Sequence, residues 1–114
     1  MTRLVAASVA IDLDRTLAAL ADPQRRRAVN LLRERSLAAG ELARALDLPA
    51  PTMSRHLRVL RHSGLVEETH QEHDARLRVY SLRLEPMAGL KAWLEETEQL
   101  WSSQLGAFKA YLEK

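Results

Sequence analysis

Residues 39–63 read AGELARALDLPAPTMSRHLRVLRHS, and this stretch decides how the rest of the chain can fold. Apolar residues recur at helical spacing on both sides of the break Asp47-Leu48-Pro49, so the pattern predicts two short helices joined by a tight turn. Each helix would pack one apolar face against a shared core. The residues predicted to face inward are Leu42, Ala45 and Leu46 before the break and Met53, Leu57, Leu60 and Gly64 after it.

The opposite face of the second helix combines two hydroxyls with three arginines, a composition that a protein core cannot use. Arginine reaches phosphate oxygens and guanine edges, and short hydroxyl side chains let a helix approach a DNA groove closely. A basic outer face can also be merely solvated, and the pattern alone leaves that alternative open. The arrangement indicates a helix-turn-helix whose recognition helix covers residues 51–63. Its outer residues are Thr52, Ser54, Arg55, Arg58 and Arg61.

A longer match surrounds this helix. The segment APTMSRHLRVL at residues 50–60, followed by GLV at residues 64–66, closely resembles the recognition helix and wing entry of the ArsR family of bacterial winged-helix repressors. The resemblance spans roughly residues 17–84 and implies a mainly α fold with a small β-hairpin. In this winged helix-turn-helix, four helices, two strands and a final helix follow one another along the chain.

The turn before the recognition helix departs from the family pattern, because Pro49 and Ala50 stand where a serine and a glutamine are common. Pro49 has no side-chain oxygen with which to cap the helix, which removes about 1 kcal/mol of stabilisation. The family's usual base contact at Ala50 cannot be carried over, because alanine has no amide.

The 114-residue chain is expected to form one domain, residues 1–114, with a single core. Its net charge of +2 is uneven: residues 1–84 hold 14 arginines against 10 acidic residues, and residues 85–114 hold 3 lysines against 5 glutamates. The basic part is therefore the predicted nucleic-acid surface. The chain has no cysteine, signal peptide or apolar run that could span a membrane, so a cytoplasmic protein without disulfides or thiolate metal sites is expected.

Two helices should precede the helix-turn-helix. The first is predicted over about residues 9–20, and Asp22-Pro23 marks the start of a second that reaches about Arg35. Arginines 25–27 crowd its first turn, where positive charge opposes the helix dipole. They either form a solvated face, the favoured interpretation, or contact phosphate from the flank. The second helix should turn Ala28, Val29, Leu31 and Leu32 inward.

His56 lies at the edge of the buried stripe, one turn from Met53 and beside Leu57. A histidine in that position is typically a packed, hydrogen-bonded partner, and a supporting contact to DNA is the alternative. No serine, aspartate or second histidine is spaced to form a hydrolytic constellation with it. An enzyme is therefore excluded for want of a nucleophile–base pair.

A polar hairpin, the wing, should follow the recognition helix. Gly64 would end that helix in a left-handed conformation, and two strands would enclose a polar tip at residues 70–75. Arg76 and Arg78 on the returning strand would meet the DNA backbone or the minor groove. The histidines and carboxylates of the tip could bind a metal, although an exposed polar loop is the commoner explanation. The predicted strands cover residues 65–69 and 77–82.

Glu85-Pro86 opens a final helix that could run nearly to Lys114. Its two adjacent apolar stripes hold both tryptophans and the only phenylalanine, more than one small domain can bury. The helix could fold back on its own domain, but a homodimer through the terminal helices, about residues 9–20 and 86–114, is the favoured interpretation. The predicted dimer contacts are Leu13, Leu17, Leu94, Trp101, Leu105 and Phe108.

Two metal-sensing sites found in ArsR-like repressors are missing from the sequence. Ala38, Gly40 and Ala43 stand at the positions that match the cysteines of one site, and the last helix lacks the histidine and aspartate of the other. No cofactor or metal is expected, and no small-molecule effector can be named. The chain resembles family members without metal ligands, some of which regulate their own operons.

The sequence thus predicts a homodimeric, metal-independent repressor that binds double-stranded DNA at an inverted-repeat operator and has no membrane partner. The alternative is a winged-helix module that binds another protein and has no specific affinity for DNA. Base recognition is assigned to Thr52, Ser54, Arg55 and Arg58 with His56 in support, and backbone contact to Arg76 and Arg78.

Overall fold

A computed structural model describes residues 13–71 and 74–113 of the protein, which are mainly helical with a small three-stranded antiparallel sheet. This architecture confirms the predicted fold class. The first helix, α1, covers residues 13–20 of the described chain, and its predicted start before Leu13 lies outside the described residues. The elements that follow are α2 (Pro23–Leu32), β1 (Leu37–Ala38), α3 (Ala39–Leu46), α4 (Ala50–His62), β2 (Val66–Gln71), β3 (Asp74–Leu82) and α5 (Glu85–Leu112).

The core lies where the first four helices meet the sheet, and it is built from alanines and branched aliphatic side chains. Fully burying a leucine there contributes about 2 kcal/mol of transfer free energy. The predicted inner face of α4 is confirmed, whereas in α3 the prediction of Ala45 was wrong, because Ala43 is buried and Ala45 exposed. Alanine suits either side of a helix, so spacing alone could not separate the two. The buried residues of the three central helices are Ala28, Val29, Leu32, Leu42, Ala43, Leu46, Met53, Leu57 and Leu60.

The sheet contains a strand that the sequence did not predict. β1 pairs with β3 through Leu37↔Tyr80 and Ala38↔Val79, which gives the order β1-β3-β2. Two residues are too few to show strand periodicity, and their partner lies some 40 residues away in the sequence, so only the folded chain reveals the pairing.

The hairpin is also longer than predicted, and the prediction of a loop over residues 70–75 was wrong. β2 continues to Gln71 and β3 begins at Asp74, with a register shift between His70 and Gln71. Polar residues can extend a hairpin whose faces are solvated, so their polarity did not mark the end of the ladder. The wing is therefore a two-stranded arm.

The helices on either side of the recognition turn end in left-handed residues. Asp47 follows α3 with φ of 55°, and Gly64 follows α4 with φ of 80°, as predicted for Gly64. Beyond α4, the N–H groups of Gly64 and Leu65 donate to the carbonyls of Arg61 and Leu60, which satisfies carbonyls that the helix end would otherwise leave unpaired. At the other end of α4, Pro49 makes no side-chain cap, as expected.

The last helix, α5, is 28 residues long, or about 42 Å at 1.5 Å per residue, and none of its residues is buried. The alternative in which this helix folds back over its own domain is thereby contradicted for the described chain. Within the described residues no helix is long and apolar enough to cross a membrane.

Candidate nucleic-acid interface

The exposed side of α4 carries the residues that were predicted to read DNA bases. Ser54, Arg55 and Arg58 are exposed, and Thr52 is half-buried. A guanidinium nitrogen of Arg55 lies 3.5 Å from Thr52 Oγ1, at the limit of a hydrogen bond. These polar groups lie opposite Met53, Leu57 and Leu60, which hold the helix to the core. Two guanidiniums and two hydroxyls therefore stand on a rigid element that is free on its outer side.

His56 faces α2 and lies at the side of this exposed surface. Its Nε2 lies 2.9 Å from Gln24 Oε1, and its Nδ1 lies 3.4 Å from Arg25 Nη1. Arginine can only donate, so Nδ1 accepts from Arg25 while Nε2 donates to Gln24. The structure thus brings His56 into the contact between α2 and α4, which is the packed interpretation of this residue.

Two of the arginines at the start of α2 have partners that neither interpretation of the sequence included. Arg25 Nε and Nη2 donate to the carbonyls of Ala19 and Ala18 at 2.7 and 3.1 Å. Arg26 Nη1 likewise donates to the carbonyls of Leu20 and Ala21, at 2.7 and 3.2 Å. Both side chains close the carbonyl end of α1, where positive charge is favourable. They are therefore structural ties between α1 and α2, although Arg26, like Arg27, is exposed.

The same junction is capped by Asp22, as predicted. Its Oδ1 accepts from the N–H groups of Gln24 and Arg25 at 2.8 and 3.2 Å. Desolvation acts to raise the pKa of the Asp22 carboxyl, but these two hydrogen bonds and the charges of His56 and Arg25 outweigh it and lower the pKa below 3.8. The recognition helix, α1 and α2 are thus joined by one polar cluster made of Asp22, Gln24, Arg25 and His56.

Glu68 on β2 is a residue that the sequence did not single out. Its Oε2 lies 2.9 Å from Arg61 Nη1 and its Oε1 lies 3.3 Å from Arg78 Nε. The hydroxyl of Tyr80 donates to Oε2 at 3.4 Å, and burial, followed by the charge of Glu68, raises the pKa of Tyr80 above 10.0. Arg61 was predicted on the outer face of α4, but it turns towards the hairpin instead. The alternation of side chains along β2 could have predicted which face of the strand carries Glu68. It could not have predicted that this face lies beside α4.

The wing arginines lie on one face of β3, because residues two apart in a strand point the same way. Arg76 and Arg78 are both exposed. Arg78 pairs with Glu68, with its Nε 3.3 Å from Oε1, and its side chain is 67% exposed. The wing and the end of α4 therefore both present exposed guanidiniums.

The predicted dimer residues are exposed or half-buried. Trp101 and Phe108 expose 63% and 60% of their surface, and Leu94 and Leu105 are similarly exposed on α5. Leu17 on α1 is exposed and Leu13 is half-buried. Such an apolar surface is unusual on a monomer.

The described residues contain no candidate metal site. Among residues 13–71 and 74–113, no three His, Cys, Asp or Glu side chains form a group that could hold a metal ion.

Known proteins are similar to this chain in both sequence and fold. Residues 22–68 match the family of bacterial regulatory proteins described as the arsR family. The HTH-type transcriptional regulator Rv2034 of Mycobacterium tuberculosis is 38% identical over 95 residues, which is 83% of each chain. These relatives are transcriptional regulators, so the expectation that the chain is not an enzyme is confirmed.

Solved structures agree with this assignment. The crystal structure of the ArsR family transcriptional regulator RHA00566 is 33% identical with a TM-score of 0.71, covering 81% of this chain and 92% of that one. An ArsR-like regulator from Rhodococcus sp. RHA1 is 25% identical with a TM-score of 0.75, covering 90% and 93%. The fold also matches the homodimeric winged helix-turn-helix DNA-binding domain of Mb0332 from Mycobacterium bovis, at 24% identity, a TM-score of 0.64 and coverage of 82% and 86%. The chain belongs to the ArsR family and is a transcriptional regulator with a DNA-binding winged helix-turn-helix.

Proposed function

We propose that the protein is a homodimeric repressor that binds an inverted-repeat operator and needs no metal ion to do so. The observation that carries this proposal is the outer side of α4, where Ser54, Arg55 and Arg58 stand exposed on a helix whose other sides are held by the core, α2 and the wing. A helix with these side chains fits the major groove of DNA.

Base recognition would rest on four residues of α4. Arg55 and Arg58 would donate to guanine edges or to phosphates, and Thr52 and Ser54 are short enough to let the helix approach the base pairs. His56 would contribute by holding α4 to α2 through Gln24. An error of about 1 Å in the position of α4 would misalign every side chain that reads a base, so this support is part of the recognition.

The wing would hold the DNA backbone beside the groove that α4 occupies. Arg76 and Arg78 stand on one exposed face of β3, and a guanidinium pairs well with phosphate oxygens. Contacts of this kind fix the position of a protein on DNA but carry little sequence information. The wing would therefore supply affinity and register, and α4 would supply specificity.

Dimer formation would use the apolar sides of α5 and α1, covered by a second copy of the chain. The support is the row of exposed apolar side chains on α5, including Trp101, Leu105 and Phe108, on a helix with no buried residue. The structurally similar domain of Mb0332 is described as homodimeric. Two copies related by a two-fold axis would present two α4 helices to successive major grooves, which requires an inverted repeat.

Regulation by metal ions is not part of the proposal, because the chain has no cysteine and its last helix has no histidine or aspartate. Control through the amount of protein, with the repressor bound at its own promoter, needs no sensor element. Repression would follow from occupying the promoter.

A genome-wide binding experiment followed by footprinting tests the proposal, because it yields the operator directly. We expect protection of an imperfect inverted repeat whose half-sites lie about 10 bp apart, one turn of DNA, or a small multiple of it. A single unpaired half-site would contradict the two-fold geometry. A protein that shows no salt-dependent retention on duplex DNA would contradict DNA binding itself and favour a module that binds another protein.

A further inference from the structure

Glu68 lies at the only place in the described chain where one carboxylate joins the recognition helix to the wing through ion pairs. Its side chain is 12% exposed, while those of Arg61 and Arg78 are 51% and 67% exposed. The Glu68 carboxylate is thus largely covered by its partners Arg61, Arg78 and Tyr80, while the two arginine side chains remain exposed to solvent. The cluster has two positive charges and one negative charge.

The cost of burying a carboxylate shows that this arrangement is not incidental. A half-buried Glu68 without partners would be destabilising, and here it accepts from two guanidiniums and from the Tyr80 hydroxyl. The two arginines approach different oxygens of the carboxylate, Nη1 of Arg61 at Oε2 and Nε of Arg78 at Oε1. Both guanidiniums are therefore tied to one carboxylate while most or about half of each arginine side chain stays exposed.

We propose that Glu68 is a specificity-determining positioning residue, which lowers the affinity for non-specific DNA and orients Arg61 and Arg78 for the operator. This inference rests on the proposed function. Non-specific binding depends almost entirely on the number of phosphates that a protein neutralises. One carboxylate between two arginines reduces that number, whereas the base contacts of α4 do not depend on it. Glu68 therefore raises the ratio of the affinity for the operator to the affinity for random DNA.

The variant Glu68→Gln tests the charge, because glutamine keeps the shape and can still accept from Tyr80. Affinity for a random-sequence duplex is measured over a series of salt concentrations. We expect the slope of log K against log salt to become steeper by about 1 to 2, since each additional phosphate contact adds about 0.9. Random DNA should bind ~3–10-fold more tightly at moderate salt, and the ratio of operator to random affinity should fall by a similar factor.

Glu67→Gln is the matched control. Glu67 is the preceding residue of β2, it is exposed, and its side chain points to the opposite face of the strand. The substitution changes the net charge by the same amount without releasing an arginine. Equal slopes for Glu67→Gln and Glu68→Gln would overturn the inference.

Glu68→Asp tests the geometry separately, because aspartate keeps the charge but is too short to hold both arginines. We expect an unchanged slope on random DNA and an operator affinity that falls ~3–10-fold, since the guanidiniums are no longer directed. An unchanged operator affinity would contradict the positioning role. If the wild-type protein shows no salt-dependent binding to DNA, the proposed function fails. If the wild-type protein binds DNA and the Glu68 variants bind it in the same way, only the inference about Glu68 fails.

Discussion

The helix-turn-helix region and α5 differ in where their side chains find partners. From α2 to β3, apolar residues are buried in one core and the polar junctions are closed by Asp22, Arg25, His56 and Glu68. No buried side-chain polar atom of the described chain lacks a hydrogen-bond partner. On α5, by contrast, no residue is buried and the largest side chains are exposed. One region buries its apolar side chains within a single chain, and the other leaves them exposed.

Beyond its first turns, where Pro86, Gly89 and Leu90 are half-buried, the rest of α5 is largely exposed and carries local ion pairs. The ion pairs Lys91–Glu95 and Lys109–Glu113, each at 3.9 Å, are i,i+4 pairs with exposed side chains. Such pairs contribute at most about 0.3–0.5 kcal/mol each. The 28-residue helix thus has little tertiary support within a single chain. The buried core region therefore carries the stability of the monomer, and the proposal assigns assembly to α5.

The largest expected effect comes from placing a charge on the apolar side of α5. Trp101→Glu would bury an unpaired carboxylate in the proposed interface, which costs several kcal/mol, so we expect the dimer dissociation constant to rise by about two orders of magnitude or more. Operator binding should be lost with the dimer, because one half-site contributes too little affinity. Light scattering of the purified variant measures its mass.

Gln99→Glu serves as the control for this experiment, because Gln99 is exposed on the opposite side of α5, where a charge stays in water. It should remain dimeric. A dimeric Trp101→Glu protein would mean that the apolar side of α5 is not the interface, and the contrast between the two regions would disappear.

A second variant should impair DNA reading while leaving both folding and assembly intact. Arg55→Ala should weaken operator binding by about 1–3 kcal/mol if the guanidinium reads a base, with a smaller loss on random DNA. Fluorescence anisotropy with both duplexes at one salt concentration measures the difference. Arg27→Ala, at an exposed arginine of α2, has the same charge change and should affect both duplexes equally and weakly. If Arg55→Ala lowers the affinity for both duplexes equally, Arg55 contacts phosphate and does not read a base.

A smaller effect is expected on the acid stability of the core region. Because the pKa of Asp22 is lowered in the folded protein, its charge stabilises the fold above about pH 3.8, and this contribution is lost as pH falls through the lowered pKa. Asp22→Asn keeps the capping oxygen and removes the charge. Its Tm should therefore lie a few degrees below that of the wild type at neutral pH and converge with it in strong acid. Asp14→Asn, at an exposed carboxylate of α1, should show no such convergence.

The smallest expected effect is that of metal ions on DNA binding. No cysteine is available, and the two wing histidines His70 and His73 lack a fixed set of further ligands in the sequence. Micromolar zinc at constant ionic strength should change operator affinity by less than about threefold, in a titration run with and without a chelator. A shift of about tenfold that His70→Ala plus His73→Ala abolishes would contradict this expectation and add a sensor to the core region.

Much of the framework could be predicted from the sequence, because it depends on local patterns. The inner face of α4 follows from helical spacing, the start of α2 from Asp22-Pro23, and the end of α4 from Gly64. The exposure of Ser54, Arg55 and Arg58 followed from the same spacing, whereas the turn of Arg61 towards the hairpin did not. Predictions failed where the local signal was ambiguous, as with Ala45 in α3 and the polar end of the hairpin, since alanine and polar residues fit either environment.

The sequence by itself determined the order of helices, the basic exposed side of α4 and the surplus of apolar residues on α5. These depend on residues within a few turns of one another, so periodicity and capping rules suffice. Only the tertiary structure decided the partners of the polar side chains. His56 meets Gln24 across 32 positions of the sequence, Arg25 reaches back to the end of α1, and Glu68 joins α4 to the wing. Such contacts depend on how whole elements pack, and a one-dimensional pattern holds no information about which element will lie beside another.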